Sequence, residues 1–306
     1  MIFLKGDSIS ELYPELLRRV LEEGEEVAPR GMQTLEVAPL GFELTDPRQS
    51  LVLQKARRLN YAYAIVERLS LVSGTADADM LCFYIDKLWD YVNPETRCFD
   101  GAYGPRVRPQ LDYVYEELQR DPASRRAVIS IYSEADQRES LDVPCTLALH
   151  FLIRHGKLDL MVNMRSSDLF LGLPYDVSQF AFLQQVIAGW LQIDAGRYIQ
   201  WADSTHIYME HLERAKQVLS DPWDLVETRF GVPQLPIDET FKQAALLLTL
   251  ERDSREGRIG VALERDPRMD VLAPEFKDYA VHLYDYAARR QARREGSKAP
   301  GAVATP

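Results

Sequence analysis

The stretch that most constrains this chain is residues 127–191, where the hydrophobic period changes from two to helical within one run. Residues 127–132, 146–154 and 157–165 carry strand patterns, and His155-Gly156 turns the second into the third. In the third, Leu158, Leu160, Val162 and Met164 share one face. Asp159, Met161, Asn163 and Arg165 share the other, because successive strand side chains point to opposite sides. After the loop SSDLFLGLPY, a long apolar helix is expected from about Asp176 to residue 191. Around this centre the reading is coarser. Helices are expected at 10–23 (stopped by Gly24), 52–73, 77–91, 109–120 and from about His206. Residues 30–44 read as strand and turn, 97–108 as a loop, and 197–201 as a short strand. The expected class is α+β, with a central mixed or antiparallel sheet flanked by helices.

Charge and length bound the function. The 306 residues are enough to bury a sizeable core, and no run of 18 residues is free of charge, so no membrane span is expected. The first ten residues lack the apolar core of a secretory signal, which points to a cytoplasmic protein. Asp and Glu outnumber Lys and Arg by 47 to 36, giving −11, which speaks against broad DNA or RNA binding. A small anionic ligand is still compatible, since local arginines override a net field. Three cysteines, Cys82, Cys98 and Cys145, make no disulfide framework and no zinc spacing, so no metal is expected.

Cys145 follows Pro144 at the mouth of a strand, a place from which a thiol can be presented as a nucleophile. The commoner fate of a cysteine is an inert core thiol, and that is the reading for Cys82; Cys98 stands in a loop without a partner. Twenty residues on, Arg165 and Ser166 end a strand, Asp168 follows, and Gly172 and Pro174 precede a helix start. Arginine, hydroxyl and helix-start amides together suit a phosphate. Arg125 and Arg126 are adjacent at a strand entrance, so their side chains diverge and one is free to serve a second subunit; the bland alternative is a solvated basic pair.

These segments resemble the thymidylate synthase family and its pyrimidine hydroxymethylase relatives. The matches are DPASRR at 121–126, Pro144-Cys145, RSSDLFLGLPYDVSQFAFL at 165–183 and THIYMEHLE at 205–213. Weaker ones are Arg30-Gly31, Glu67 with Gly74-Thr75, Leu88-Trp89-Asp90 and Gly101-Ala102-Tyr103-Gly104, all in the family's order. The resemblance implies a catalytic domain over residues 1–290 with a flexible tail at 291–306, dimerising through the sheet. It implies that Cys145 adds to C6 of a pyrimidine nucleotide, making C5 nucleophilic toward the methylene of 5,10-methylenetetrahydrofolate. Arg165 would lower the pKa of Cys145 and hold phosphate with Arg30 and Ser166, joined by Arg125 and Arg126 of the other subunit. His206 and Tyr208 would bind the sugar 3′-hydroxyl, and Asp168 and Asp176 would complete the nucleotide site. Glu67 and Tyr103 would manage protons at C5 and order water. Glu67, Trp89, Asp168, Leu171, Gly172 and Tyr175 would line the folate site, although Trp89 beside Leu88 also suits a core aromatic.

The departures from thymidylate synthase are specific. Asp176 stands where those enzymes place Asn against the base edge. A carboxyl accepts from the cytosine N4 amine and, protonated, donates to N3; ionised, it repels uracil O4. The alternative is an N-cap, since Asp176-Val177-Ser178-Gln179 has capping-box form. Asn would cap equally well, so capping does not explain Asp. Thr146 replaces the usual His, Val92 a second Trp, and Ser204 an Asp, and the final residues do not resemble the family's apolar carboxy-terminus. A smaller wall and looser lid admit water, which turns methylation into hydroxymethylation. The expectation is a CMP or dCMP 5-hydroxymethylase. The alternatives are a dUMP-methylating thymidylate synthase, a cytidylate C5-methylase, and an idle homologue that only binds nucleotide or RNA.

Overall fold

A computed structural model describes residues 2–223, 231–259 and 262–296. The chain divides into two compact units, Met1–Ile237 and Asp238–Pro306. The strands are β1 Ile2–Gly6, β2 Glu25–Val27, β3 Thr34–Val37, β4 Leu40–Leu44, β5 Val128–Ser130, β6 Thr146–Arg154, β7 Lys157–Met164, β8 Ser167–Asp168, β9 Asp194–Ala202 and β10 Thr205–Tyr208. The helices are α1 Ile9–Glu23, α2 Tyr61–Ser73, α3 Ala78–Tyr84, α4 Gly104–Val107, α5 Leu111–Arg120, α6 Leu173–Trp190, α7 Leu212–Ser220, α8 Ile237–Arg255, α9 Arg268–Val271 and α10 Pro274–Gly296.

The first unit is built on a six-stranded mixed sheet in the order β1-β4-β9-β7-β6-β5. Its centre is the β6–β7 hairpin, antiparallel from Thr146↔Met164 to Arg154↔Lys157, with β7 parallel to β9. One face carries Phe42, Leu44, Leu149, Phe151, Leu160, Val162 and Tyr198, all fully or nearly fully buried. α6 lies against β7 and β9 on this core; its Phe180, Leu183 and Ile187 are inaccessible to solvent. A second sheet, β2-β3-β10-β8, stands at the strand ends that carry the site. The second unit is helical: α8 buries Leu247 and Leu250, and α10 buries Phe276, Tyr279 and Leu283.

Several boundaries differ from the sequence reading, each for a local reason. The helix expected over 52–73 starts at Tyr61, because Asn60 caps it by accepting from the Tyr63 N–H and Arg58 is left-handed (φ 51°). The helix expected at 77–91 ends at Tyr84 and passes into a 3-10 turn at Asp86–Tyr91. α4 falls inside the expected loop. The helix expected from His206 begins at Leu212, and His206 and Tyr208 lie on β10. α6 starts at Leu173, three residues before Asp176; with Pro174 in its first turn the chain is already helical, so Asp176 is not its N-cap. Residues 291–296, expected to fray, continue α10, and the rest of that tail lies outside the described residues.

Candidate active site

Cys145 sits just before β6 and is fixed there by Arg165, just beyond β7. The Arg165 guanidinium donates from Nε to the Pro144 carbonyl (3.0 Å) and from Nη2 to the Val143 carbonyl (2.9 Å) and the Cys145 Sγ (3.7 Å). The Arg165 N–H also donates to the Cys145 carbonyl, at 2.9 Å. One side chain therefore ties the thiol-bearing loop to the central hairpin. Burial pushes the Cys145 thiol up to about 11; Arg165 opposes that shift, while Asp176, Asp142 and Asp168 add to it. The expected lowering by Arg165 is thus outweighed by burial.

Beside the thiol is a cavity of about 210 Å³, with Tyr63, Glu67, Tyr103, Asp142, Asp176 and Gln179 in its wall. It brings together Cys145, Glu67, Tyr103 and Asp176 from positions scattered over 110 residues. α2 supplies Tyr63 and Glu67, and α6 supplies Asp176 and Gln179, each pair spaced to share a helix face. The Thr146 N–H and hydroxyl meet the Tyr103 phenol oxygen at 3.3 and 3.1 Å, and Phe180 stacks on the ring with centroids 5.6 Å apart. Thr146, a departure from the family pattern, thus holds Tyr103. Burial pushes Glu67 up to about 8, with Asp176 adding to the shift and Tyr63 opposing it. Its Oε2 is buried without a hydrogen-bond partner. Asp176 goes up to about 7 through burial; Gln179, donating to its Oδ1 at 3.3 Å, opposes this.

The second sheet carries another group. Glu25, Glu36, His206 and Asp168 form one row across β2, β3, β10 and β8. The His206 and Tyr208 rings meet edge-on, 5.1 Å between centroids. Burial lowers the His206 imidazole; Glu36 opposes this, and Arg165 and Arg30 reinforce it. Tyr208 is raised by burial first; Asp168, Tyr91 and Cys145 add to the shift and Arg30 opposes it. Arg30 is exposed and left-handed (φ 55°), and Ser166 is half-buried between β7 and β8. Ser204 donates its hydroxyl to the Glu36 carboxylate.

Of the positions expected to line a folate site, Glu67 is on α2, Trp89 in the 3-10 turn at Asp86–Tyr91, Asp168 on β8, Leu171 and Gly172 in the loop before α6, and Tyr175 on α6. The Asp168 Oδ1 accepts from the Phe170 and Leu171 N–H groups, both at 2.9 Å, and burial pushes this carboxyl up to about 6. Tyr175 is buried, edge-on to Tyr63 at 4.9 Å, and its hydroxyl accepts from the Asn60 N–H at 3.0 Å. Gly172 flanks the start of α6. Trp89 is 41% exposed and Leu171 39%, so Trp89 is not a core aromatic. Val92 is buried against Ala78 and Cys82, behind the cavity residues Leu88 and Phe99.

Arg125 and Arg126 do not join this cluster within the chain. Both are exposed and precede β5, whose register sets Val128 opposite His150. Continued back two residues, Arg126 falls opposite Leu152, seven positions along β6 from Cys145, or roughly 20 Å at ~3.3 Å per residue. The sequence reading also passed over Tyr63, Gln179, Asp142 and Arg57. Arg57 is buried, lies 4.9 Å over the Phe170 ring, and has an Nε without a partner. Helical spacing from Glu67 and Asp176 was the available signal for Tyr63 and Gln179. Among the described residues, no group of three or more His, Cys, Asp or Glu could hold a metal ion, and no helix is long and apolar enough to cross a membrane.

The family model of thymidylate synthase matches residues 11–251, and the chain belongs to this family. It is therefore an enzyme of one-carbon transfer to a pyrimidine nucleotide, from a family whose co-substrate is methylenetetrahydrofolate. Among curated proteins, it is 29% identical over 262 residues to the deoxyuridylate hydroxymethyltransferase of Bacillus phage SP01, covering 79% of this chain and 68% of that protein.

Proposed function

We propose that this enzyme places a hydroxymethyl group on C5 of a cytidine nucleotide, with water completing the transfer. The observation that carries the base assignment is Asp176. Its carboxyl lines the same cavity as Cys145, is not the helix cap, and is pushed to about 7, so a protonated form is at hand near neutrality. Protonated, it accepts from N4 and donates to N3, and cytosine N3 is a stronger base than uracil O4.

The roles follow the placement. Arg30, Arg165 and Ser166 hold the phosphate, and His206 and Tyr208 hold the sugar. The Cys145 thiolate adds to C6. Bound methylenetetrahydrofolate supplies the one-carbon unit. The residues present suit a flat co-substrate: Trp89, Tyr91 and Leu171 are exposed apolar side chains, and Arg57 Nε and Glu67 Oε2 are buried polar atoms without a partner. Tyr103 and Glu67 handle protons at C5. When water adds to the carbon now attached to C5, its proton passes to Glu67. The exocyclic double-bond pair moves into C5–C6, and the C6–Sγ pair returns to Cys145 as thiolate.

The active form in this reading is a homodimer. The sheet face opposite α6 shows Phe3 at 48% exposure, with Met161, Ile199 and Trp201 half-buried. Face-to-face packing of two such sheets would cover this surface. Arg125 and Arg126, too far from Cys145 in their own chain, would then complete the other subunit's phosphate site.

A uridine nucleotide is the second reading, favoured by the name of the phage relative. The test is product mass after incubation with CMP, dCMP, UMP and dUMP, each with the folate. Gain of CH2O on the cytidylates supports the proposal; turnover of uridylates alone transfers the assignment to the second reading.

A further inference from the structure

A water that attacks carbon inside a protein has to be held beside its target. Buried waters make about three hydrogen bonds, and this one must also keep a lone pair for the carbon. Donating two bonds and accepting one meets both conditions, so its site needs two acceptors and one donor. The cavity beside Cys145 offers that set. Glu67 and Ser70 lie three residues apart on α2, share a helix face, and both line the cavity. The Glu67 Oε2 and the Ser70 Oγ are buried without a hydrogen-bond partner. Ser70 is 7% exposed, and a hydroxyl at that depth is costly unless something bonds it.

Asp142 lines the same cavity from the loop before Cys145. Its Oδ2 accepts from the Gly101 N–H at 2.8 Å. A Cβ at position 101 would come within 2.9 Å of the Pro144 N and 3.0 Å of the Asp142 Cγ, so this contact needs glycine. The Asp142 N–H donates to the Ser140 Oγ at 3.1 Å, and the Ser140 hydroxyl donates to Asp100 at 2.7 Å. Among the described residues, the Asp142 Oδ1 takes no hydrogen bond. Gln179 and Tyr103, also in the wall, are engaged with Asp176 and Thr146.

We propose that Glu67, Ser70 and Asp142 form the binding site of the attacking water: its hydrogens point to Glu67 Oε2 and Asp142 Oδ1, and the Ser70 hydroxyl donates to its oxygen. The inference rests on the water-adding reading above and adds two residues which that reading does not use. The free lone pair forms the new O–C bond to the exocyclic methylene. The O–H bond facing Glu67 breaks, and its proton passes to Oε2. The exocyclic double-bond pair moves into C5–C6, and the C6–Sγ pair leaves on Cys145. Asp142 gains no proton; the hydrogen it holds stays on the product hydroxyl.

The test follows two events in one reaction, with the nucleotide that wild type turns over, tritiated at C5. Tritium release precedes water addition, and the hydroxymethyl product follows it. Added 2-mercaptoethanol captures the waiting methylene as a C5 thioether. Asp142→Asn keeps an oxygen for the Gly101 N–H and turns an NH2 toward the water, which cannot accept its hydrogen. Hydroxymethyl formation should fall about a hundredfold while tritium release stays within about threefold, the thioether taking the place of the product. Ser70→Ala breaks no hydrogen bond within the protein and should move the ratio of product to release about tenfold; it decides alone if Asp142→Asn does not fold. A ratio unmoved in the folded variants overturns the proposal. So does release that falls in step with product, which would make these residues structural props. Wild type forming the 5-methyl product overturns the water-adding reading and the inference with it, whereas a wild-type hydroxymethyl product with an unmoved ratio overturns the inference alone.

Discussion

Replacing Asp176 by Asn separates base reading from every structural role of this residue. Gln179 donates to the Asp176 Oδ1, which in the protonated form still donates to N3, while Oδ2 accepts from N4. In Asp176→Asn the amide oxygen keeps the Gln179 bond, and the NH2 takes the place of Oδ2. A donor then faces the base edge. Cytosine N4–H2 meets another donor, while uracil O4 gains a partner. One lost and one gained hydrogen bond at ~1–2 kcal/mol each give a swing of about 2–4 kcal/mol, or roughly 30- to 700-fold. The assay is kcat/KM for CMP, dCMP, UMP and dUMP in both proteins. Stability serves as the control. Asp176 lies inside α6, so no cap is removed. Its folded pKa, about 7, is above the ordinary carboxylate value, so its ionisation weakens the fold as pH rises through that value. Asn does not ionise, so the variant should melt close to wild type at pH 5 and gain on it by pH 8. Unchanged base preference, or wild-type preference for uridylate, would refute the base-reading argument whatever the melts show.

Other outcomes follow from the same geometry. Cys145→Ser should lose at least about a thousandfold in kcat and still bind nucleotide by calorimetry, whereas Cys98→Ser, at an exposed loop position, should keep full activity. Arg126→Ala mixed with Cys145→Ser should regain activity in hybrid dimers, since one site then has an intact thiol facing intact arginines; silence after confirmed subunit exchange would place the arginines elsewhere. The productive form has Asp176 protonated and Glu67 ionised, the reverse of the order in which the two carboxyls, at about 7 and about 8, release their protons, so it is a minor fraction of the enzyme. The kcat/KM profile for cytidylate should be a bell centred between pH 7 and 8, and Asp176→Asn should lose its falling limb. Trp89→Ala should raise KM for the folate severalfold and leave nucleotide KM unchanged, as read from initial rates.

The central hairpin and α6 were legible because each announces its period within its own residues: Leu158 to Met164 alternate, and Val177, Phe180 to Leu183, Val186 and Ile187 recur at helical spacing. β1 and β2 were not, because their strand character comes from partners. β1 is Ile2–Gly6 paired with Leu40–Leu44, and no local pattern declares that. β10 is four residues long and is soon followed by EHLERAKQVLS, so the helical period of the sequel masked it; its pairing with Thr34–Val37 and Ser167–Asp168 makes it a strand. Leu51 and Val52 are buried by the loop that carries them, which imitates a helix face before Asn60 sets the true start. Within the site, Cys145, Glu67, Tyr103 and Asp176 were found through motifs shared with a family. Tyr63 and Gln179 look like ordinary helix residues until the fold turns them toward one cavity. Asp176 was ambiguous in sequence because a capping box and a base reader share the same letters; a helix that begins at Leu173 removes the first meaning.

In the proposed reaction water, and not hydride, completes the transfer on a cytosine ring. The direct measurement is mass spectrometry of the products from an equimolar mixture of CMP, dCMP, UMP and dUMP with methylenetetrahydrofolate in water enriched in heavy oxygen. The expected product is a 5-hydroxymethylcytidine nucleotide whose new hydroxyl carries the heavy isotope. A 5-methyl product, or modification of the uridine nucleotides alone, would contradict it.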